Sequence, residues 1–172
     1  LAKEIHTVIV SVESTRPIAR FLLEREGDPH ALTRDVGRIF LGRDVTCAQC
    51  HDHPRIADYS QREYYGLEAF FSRTYLFQPD ANKPALLGEQ AQGEASFTSV
   101  FTKVGGVMRP RLPAETELAE QPVDASVQWA VAPNPKDNKV RGIPRFSRRA
   151  ELAGRVADGR NEAFRRNFAN RL

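Results

Sequence analysis

Only two of the 172 residues are cysteine and only one is methionine. The chain is therefore no small scaffold stapled by disulfides, and its length allows one real hydrophobic core, or one domain and part of another. No apolar run approaches membrane-spanning length. An excess of one charge is also missing: 25 Lys plus Arg face 22 Asp plus Glu, for a formal net charge of +3. Most of that surplus comes from arginines between Arg141 and Arg171, mixed with acidic and aliphatic residues, so it reads as solvated surface and not as a nucleic-acid footprint. No basic, apolar, small-residue export signal opens the chain, and both ends read as cuts through a longer polypeptide. Internal repeats, low-complexity tracts, nucleophile triads, acid-base pairs and phosphate loops are absent as well.

The two cysteines, however, stand together. Cys47-Ala48-Gln49-Cys50-His51 places them three residues apart with a histidine directly after the second, the attachment signature of a c-type haem. Thiols at i and i+3 lie on one side of a helical turn, where they reach the two vinyl groups of one porphyrin and leave the next imidazole under the iron. On this reading Cys47 and Cys50 become thioethers and His51 is the proximal ligand. Other chemistries share these residues. Cys47, Cys50, His51 and His53 offer zinc four donors, although structural zinc sites usually join two ligand pairs across a longer span, and adjacent Cys50 and His51 reach one tetrahedral ion with difficulty. A thioredoxin-like pair lacks a clear strand-helix-strand setting, and a plain disulfide leaves His51 unused.

For the second axial position the chain offers His6, His30, His53 and Met108. His53 lies only two residues past His51 and cannot easily swing to the opposite porphyrin face; a local hydrogen bond, a cap on the turn at Pro54 or a second cofactor suits it better. Met108 stands on a segment able to fold back over the attachment site, but a lone methionine in a strand also serves as core filler. An open or externally supplied position completes the possibilities.

Along the chain, Ile5, Val8, Ile9 and Val12 recur at helical spacing over 2–13, in a β-branched run that would also suit a strand. A helix from Pro17 buries Ile18, Phe21 and Leu22 and ends at Gly27; Asp28-Pro29 starts another that turns Leu32, Val36, Ile39 and Phe40 inward before Gly42. Ser60-Gln61-Arg62-Glu63 is a capping box, and the helix it opens carries the stripe Tyr64, Leu67, Phe70, Phe71, suited to ordinary core or to packing on a porphyrin. Residues 78–94 read as loop, 96–104 as a strand turning at Gly105-Gly106 into Val107-Met108-Arg109, and 126–132 as a short strand around Trp129. Ser147 caps a helix burying Leu152, Ala153 and Val156, and Asn161 caps another carrying Phe164, Phe168 and Leu172. The expected fold is mainly α with a small β-hairpin and loop-rich insertion, an α+β chain whose helices surround the attachment corner. Its parts are a helical core at 1–77, a loop and short-strand segment of the same domain at 78–146, and the helical start of a following domain at 147–172.

Phe40-Leu41-Gly42-Arg43, Cys47 through Pro54 and Tyr64 through Phe71 closely resemble the central block of the planctomycete-type cytochrome-like domain, domain of unknown function 1549. Phe97 through Thr102 and Arg109 through Pro113 look like its later segment, and 147–172 resembles the opening of a companion domain, domain of unknown function 1553. The resemblance implies a fragment of a larger exported protein, periplasmic or at the cell surface, with covalent haem c at Cys47 and Cys50 and no established reaction. The expected role is electron transfer or redox sensing, with a redox partner protein or the rest of the same polypeptide as partner and no nucleic acid. Two alternatives stand beside it: an open haem site for small-ligand or peroxide chemistry, and a zinc-stabilised structural domain of a larger extracellular enzyme.

Overall fold

The computed structural model describes residues 16–120, 124, 127–137 and 139–171; the expected helix over 2–13 and the side chain of Ile18 lie outside the described residues. Local start and stop signals account for most of the helices. Helix α1 (Arg16–Leu23) ends before Gly27, and α2 (Pro29–Ile39) begins at Asp28, whose carboxylate accepts from the Ala31 amide at 2.6 Å. Gly42, at φ 65°, releases the chain after α2 into a 3-10 turn at Thr46–Gln49. Ser60 caps α3 (Gln61–Glu68) by accepting from the Glu63 amide. Late in the chain, α4 (Arg148–Ala157) is capped by Ser147 and α5 (Glu162–Ala169) by Asn161.

Between α3 and α4 the described residues form three separate antiparallel pairs: β1 (Thr74–Phe77) with β2 (Leu86–Glu89), β3 (Ala95–Thr98) with β4 (Gly105–Met108), and β5 (Trp129–Val131) with β6 (Ile143–Pro144). The described chain is thus mixed α+β. Strand β2 falls inside the stretch expected to be loop. Its four residues carry no period of their own and take their place from the partner, with Tyr75 opposite Gly88 and its ring lying over that glycine. The second hairpin also turns elsewhere than expected. Residues 99–104 make the turn, with Ser99 donating to the Val104 carbonyl at 2.8 Å and Lys103 at φ 59°, while Gly105 and Gly106 belong to β4. A Cβ at Gly105 would stand 2.4 Å from the Phe97 carbonyl, so this glycine permits close strand approach and is not needed for a turn.

One core unites the helices. Leu32 and Val36 from α2, Leu41, Leu67 of α3, then Phe70, Phe71, Leu112, Leu118 and Leu152 of α4 form a single buried cluster, with Phe21, Phe146, Val156 and Phe164 packed on it. The stripe at Leu67, Phe70 and Phe71 is therefore core, while Phe40 sits at the rim, edge-on to Phe21 at 5.5 Å. Residues 147–172 contribute Leu152 to that same cluster.

The arginine-rich tail is not all solvated surface. Arg148 is completely buried: its Nε and Nη2 donate to Glu120 at 2.6 and 2.7 Å, and its Nη1 donates to the Ala69 carbonyl at 3.1 Å. Glu89, equally buried, accepts from the Ser147 hydroxyl, the Arg148 amide and Arg149. These charges survive burial because each is paired and hydrogen-bonded.

Candidate functional site

The Cys47–His51 motif sits on a turn whose inner side is anchored and whose outer side is free. Asp44 opens the turn by accepting from the Thr46 amide at 3.1 Å, a bond that with the Thr46 side chain holds the Asp44 carboxyl below its ordinary range. Val45 and Ala48 are buried against Tyr64, which forces the intervening Cys47, and Cys50 beyond them, outward. Both thiols are exposed and unpaired. Gln49 ties the turn to two helices: its side chain accepts from Arg34 of α2 at 3.0 Å, and its carbonyl accepts from the Tyr65 hydroxyl of α3 at 3.1 Å. Asp52 adds a further tie by accepting from the Gln61 amide at 2.7 Å.

The histidines are held in different ways. His51 Nδ1 lies 2.8 Å from the Asp52 carbonyl oxygen. A carbonyl only accepts, so Nδ1 carries the proton and Nε2 keeps its lone pair. His53 Nδ1 instead accepts from the amides of Arg55 and Ile56, at 3.2 and 3.1 Å, which caps the turn after Pro54. His30 lies elsewhere, 3.1 Å from the Tyr64 hydroxyl and stacked on that ring. Met108 is buried with Ala69 and Ala95, with Tyr65 and Phe97 packed on the same cluster. His6 lies outside the described residues.

Beside His51 runs an open groove of about 490 Å3 whose walls include Gln61, Arg62, Phe97, Phe101 and Val104. The His51 ring meets Phe101 edge-on at 5.5 Å, and Phe97 stacks on Tyr65 at 5.0 Å. The hairpin tip is unusually apolar for its exposure, with Phe101 73% and Val104 67% accessible. The strand expected over 96–104 did not bring Phe97 and Phe101 to the groove beside His51, since the β3–β4 turn does so.

Another residue not singled out from the sequence is Glu68. It is buried on α3, its Oε2 has no hydrogen-bond partner, and burial pushes its carboxyl up to about 7, Arg148 opposing and Asp28 reinforcing that shift. Burial likewise raises the neighbouring Tyr64 and Tyr65 hydroxyls. The signal was present in the run Leu67-Glu68-Ala69-Phe70, where a carboxylate interrupts apolar positions of a buried helix.

No described helix is long and apolar enough to cross a membrane. Among known proteins, no curated sequence and no solved structure matches this chain. The family match covers the central block that carries the motif and stops short of 97–113 and 147–172. Over residues 14–75 the chain matches the family PSCyt2, described as a protein of unknown function (DUF1549).

Proposed function

We propose that this chain is the c-type haem-binding module of a larger exported protein, acting in electron transfer or redox sensing, with haem attached at Cys47 and Cys50 and His51 as proximal ligand. The observation that carries this reading is the His51 Nδ1 to Asp52 carbonyl bond of 2.8 Å, because it sets the tautomer in which Nε2 can ligate a metal. The outward thiols and the apolar hairpin tip at Phe101 and Val104 support it, since a flat hydrophobic group beside His51 would cover that tip. Arg62, on the same groove, offers a cation to porphyrin carboxylates.

Haem bound here would supply one-electron chemistry at iron. The chain's own contributions are separate from that chemistry. Cys47 and Cys50 would hold the group to the turn as thioethers, an addition of each thiol that needs no oxidant. His51 Nε2 would hold the iron, the Asp52 carbonyl orients the His51 ring, and Phe97 and Phe101 present an apolar wall. Because such attachment uses reduced thiols and an apparatus outside the cytoplasm, the reading places the protein in the periplasm or at the cell surface, with a redox partner protein or the rest of its own polypeptide exchanging electrons.

A specific observation favours the version with an open or externally filled sixth position. His30, His53 and Met108 are each engaged by neighbours of their own. The zinc reading has less support, as no three His, Cys, Asp or Glu side chains among the described residues converge as a cation site.

Visible spectra of the purified protein, oxidised and reduced, test the proposal. A haem that stays with the protein through acid-acetone extraction is expected, and carbon monoxide shifting the reduced spectrum is expected for the open position. A colourless protein expressed with haem-maturation factors would overturn the reading.

A further inference from the structure

His51 takes its tautomer from one peptide plane, and the chain holds that plane at both ends. The Asp52 carbonyl accepts from His51 Nδ1 at 2.8 Å. At the other end of the same peptide the His53 amide donates to the Tyr59 carbonyl at 2.8 Å. A trans peptide points its C=O and N–H in opposite directions, so the bond to Tyr59 also fixes the direction of the Asp52 carbonyl. Pro54 restricts the backbone of His53, and the His53 ring accepts from the Arg55 and Ile56 amides, which closes the turn leading to Tyr59.

The Asp52 side chain supplies the remaining anchor. Its carboxylate accepts from the Gln61 amide at 2.7 Å, nine residues further on. That amide opens α3, where first-turn donors find no partner inside the helix, and Ser60 already takes the Glu63 amide. Asp52 therefore joins the motif to a helix that the buried Tyr64 and Leu67 hold in the core. We propose that the Asp52 side chain is the positioning residue of this site. By gripping the start of α3 it keeps its own carbonyl on His51 Nδ1 and so leaves Nε2 unprotonated. A consequence at iron follows only under the haem reading above, on which it rests: the same bond makes His51 the more basic ligand. A residue that merely capped α3 would stabilise the helix and leave the His51 ring free to change tautomer.

Nitrogen-15 NMR of the His51 ring, in the full chain without haem and at alkaline pH, reads the tautomer directly. Wild type shows Nδ1–H. Asp52→Ala lowers the ratio of Nδ1–H to Nε2–H by about fivefold or more, whereas Asp52→Asn, whose amide oxygen still accepts from Gln61, keeps it. Gln61→Pro removes the donor amide at a first helical position, where proline is tolerated, and Ser60 before it already has the extended φ −96° and ψ 160° that proline requires. That variant keeps α3, which circular dichroism checks, and reproduces the Asp52→Ala result. In haem-loaded protein the reduction potential of Asp52→Ala lies above that of Asp52→Asn, although both have lost the carboxylate charge, because only the second keeps His51 the stronger donor. An unchanged tautomer in Asp52→Ala, or an equal loss in Asp52→Asn, overturns the proposal; equal potentials in the two variants overturn its consequence at iron. A protein that stays colourless with maturation factors would overturn the haem reading alone, since the tautomer is read without haem.

Discussion

The Tyr65 hydroxyl donates to the carbonyl of Gln49 at 3.1 Å, joining α3 to the turn that carries both cysteines. Tyr65→Phe removes that bond and keeps the stack on Phe97, so the variant loses about 1 kcal/mol by urea denaturation. Both thiols should still modify normally, because Gln49 remains tied through Arg34. Loss of several kcal/mol would mean that the hydroxyl holds the turn far more strongly than one ordinary hydrogen bond does.

Replacing both Cys47 and Cys50 by alanine abolishes covalent haem, whereas His51→Ala leaves at most a weakly stained, misligated product. Haem staining after denaturing electrophoresis reads the first outcome, and the reduced absorption spectrum reads the second. Full retention of covalent haem without the cysteines would remove the basis of the proposed function.

Met108→Leu conserves volume in the Ala69 and Ala95 cluster, so it costs less than about 1.5 kcal/mol. It also leaves the visible and near-infrared spectra unchanged, as expected if this sulfur packs and does not ligate. A changed spectrum in this variant would return Met108 to the iron.

Glu68 makes stability depend on pH in a stated direction. Its folded carboxyl is raised from 4.5 to about 7, so above pH 7 the fold carries a buried charge that the unfolded chain solvates freely. As pH falls through 7 the folded state takes up a proton first, and stability rises, levelling off below the unfolded value of 4.5. The gain is at most about 3 kcal/mol. Glu68→Gln removes this dependence, so it stabilises the protein at pH 8 far more than at pH 5; parallel denaturation midpoints for wild type and variant across that range would contradict the assignment.

Arg148→Ala breaks the buried pair with Glu120 and costs roughly 3–5 kcal/mol, measured by chemical denaturation. Arg160→Ala, whose side chain is 88% exposed, serves as the control and changes little.

What could be read from the sequence was what is encoded within a few residues. Asp28, Ser60, Ser147 and Asn161 all act as helix caps, because a cap needs only its own side chain and an amide three residues on. The motif was equally plain. What could not be read depends on distant partners. β2 is a strand only because Thr74–Phe77 pairs with it, and Arg148 looks like any surface arginine until Glu120 and the Ala69 carbonyl surround it. The groove beside His51 belongs to this second kind, since Phe101 reaches it from a hairpin fifty residues away in sequence.

Among the described residues the three hairpins share no ladder, so each of their six strands has one edge that no other described strand pairs with. Inserting or deleting residues in the loop between β1 and β2, or in that between β5 and β6, therefore disturbs one two-stranded pair and does not shift the register of another. The segment from α2 through α3 has no such freedom, because the turn holding Cys47 and Cys50 is fastened to both helices. Length variation over evolution, and tolerance of grafted loops in the laboratory, should accordingly concentrate in the hairpin region while the spacing from Asp28 to Phe71 stays fixed.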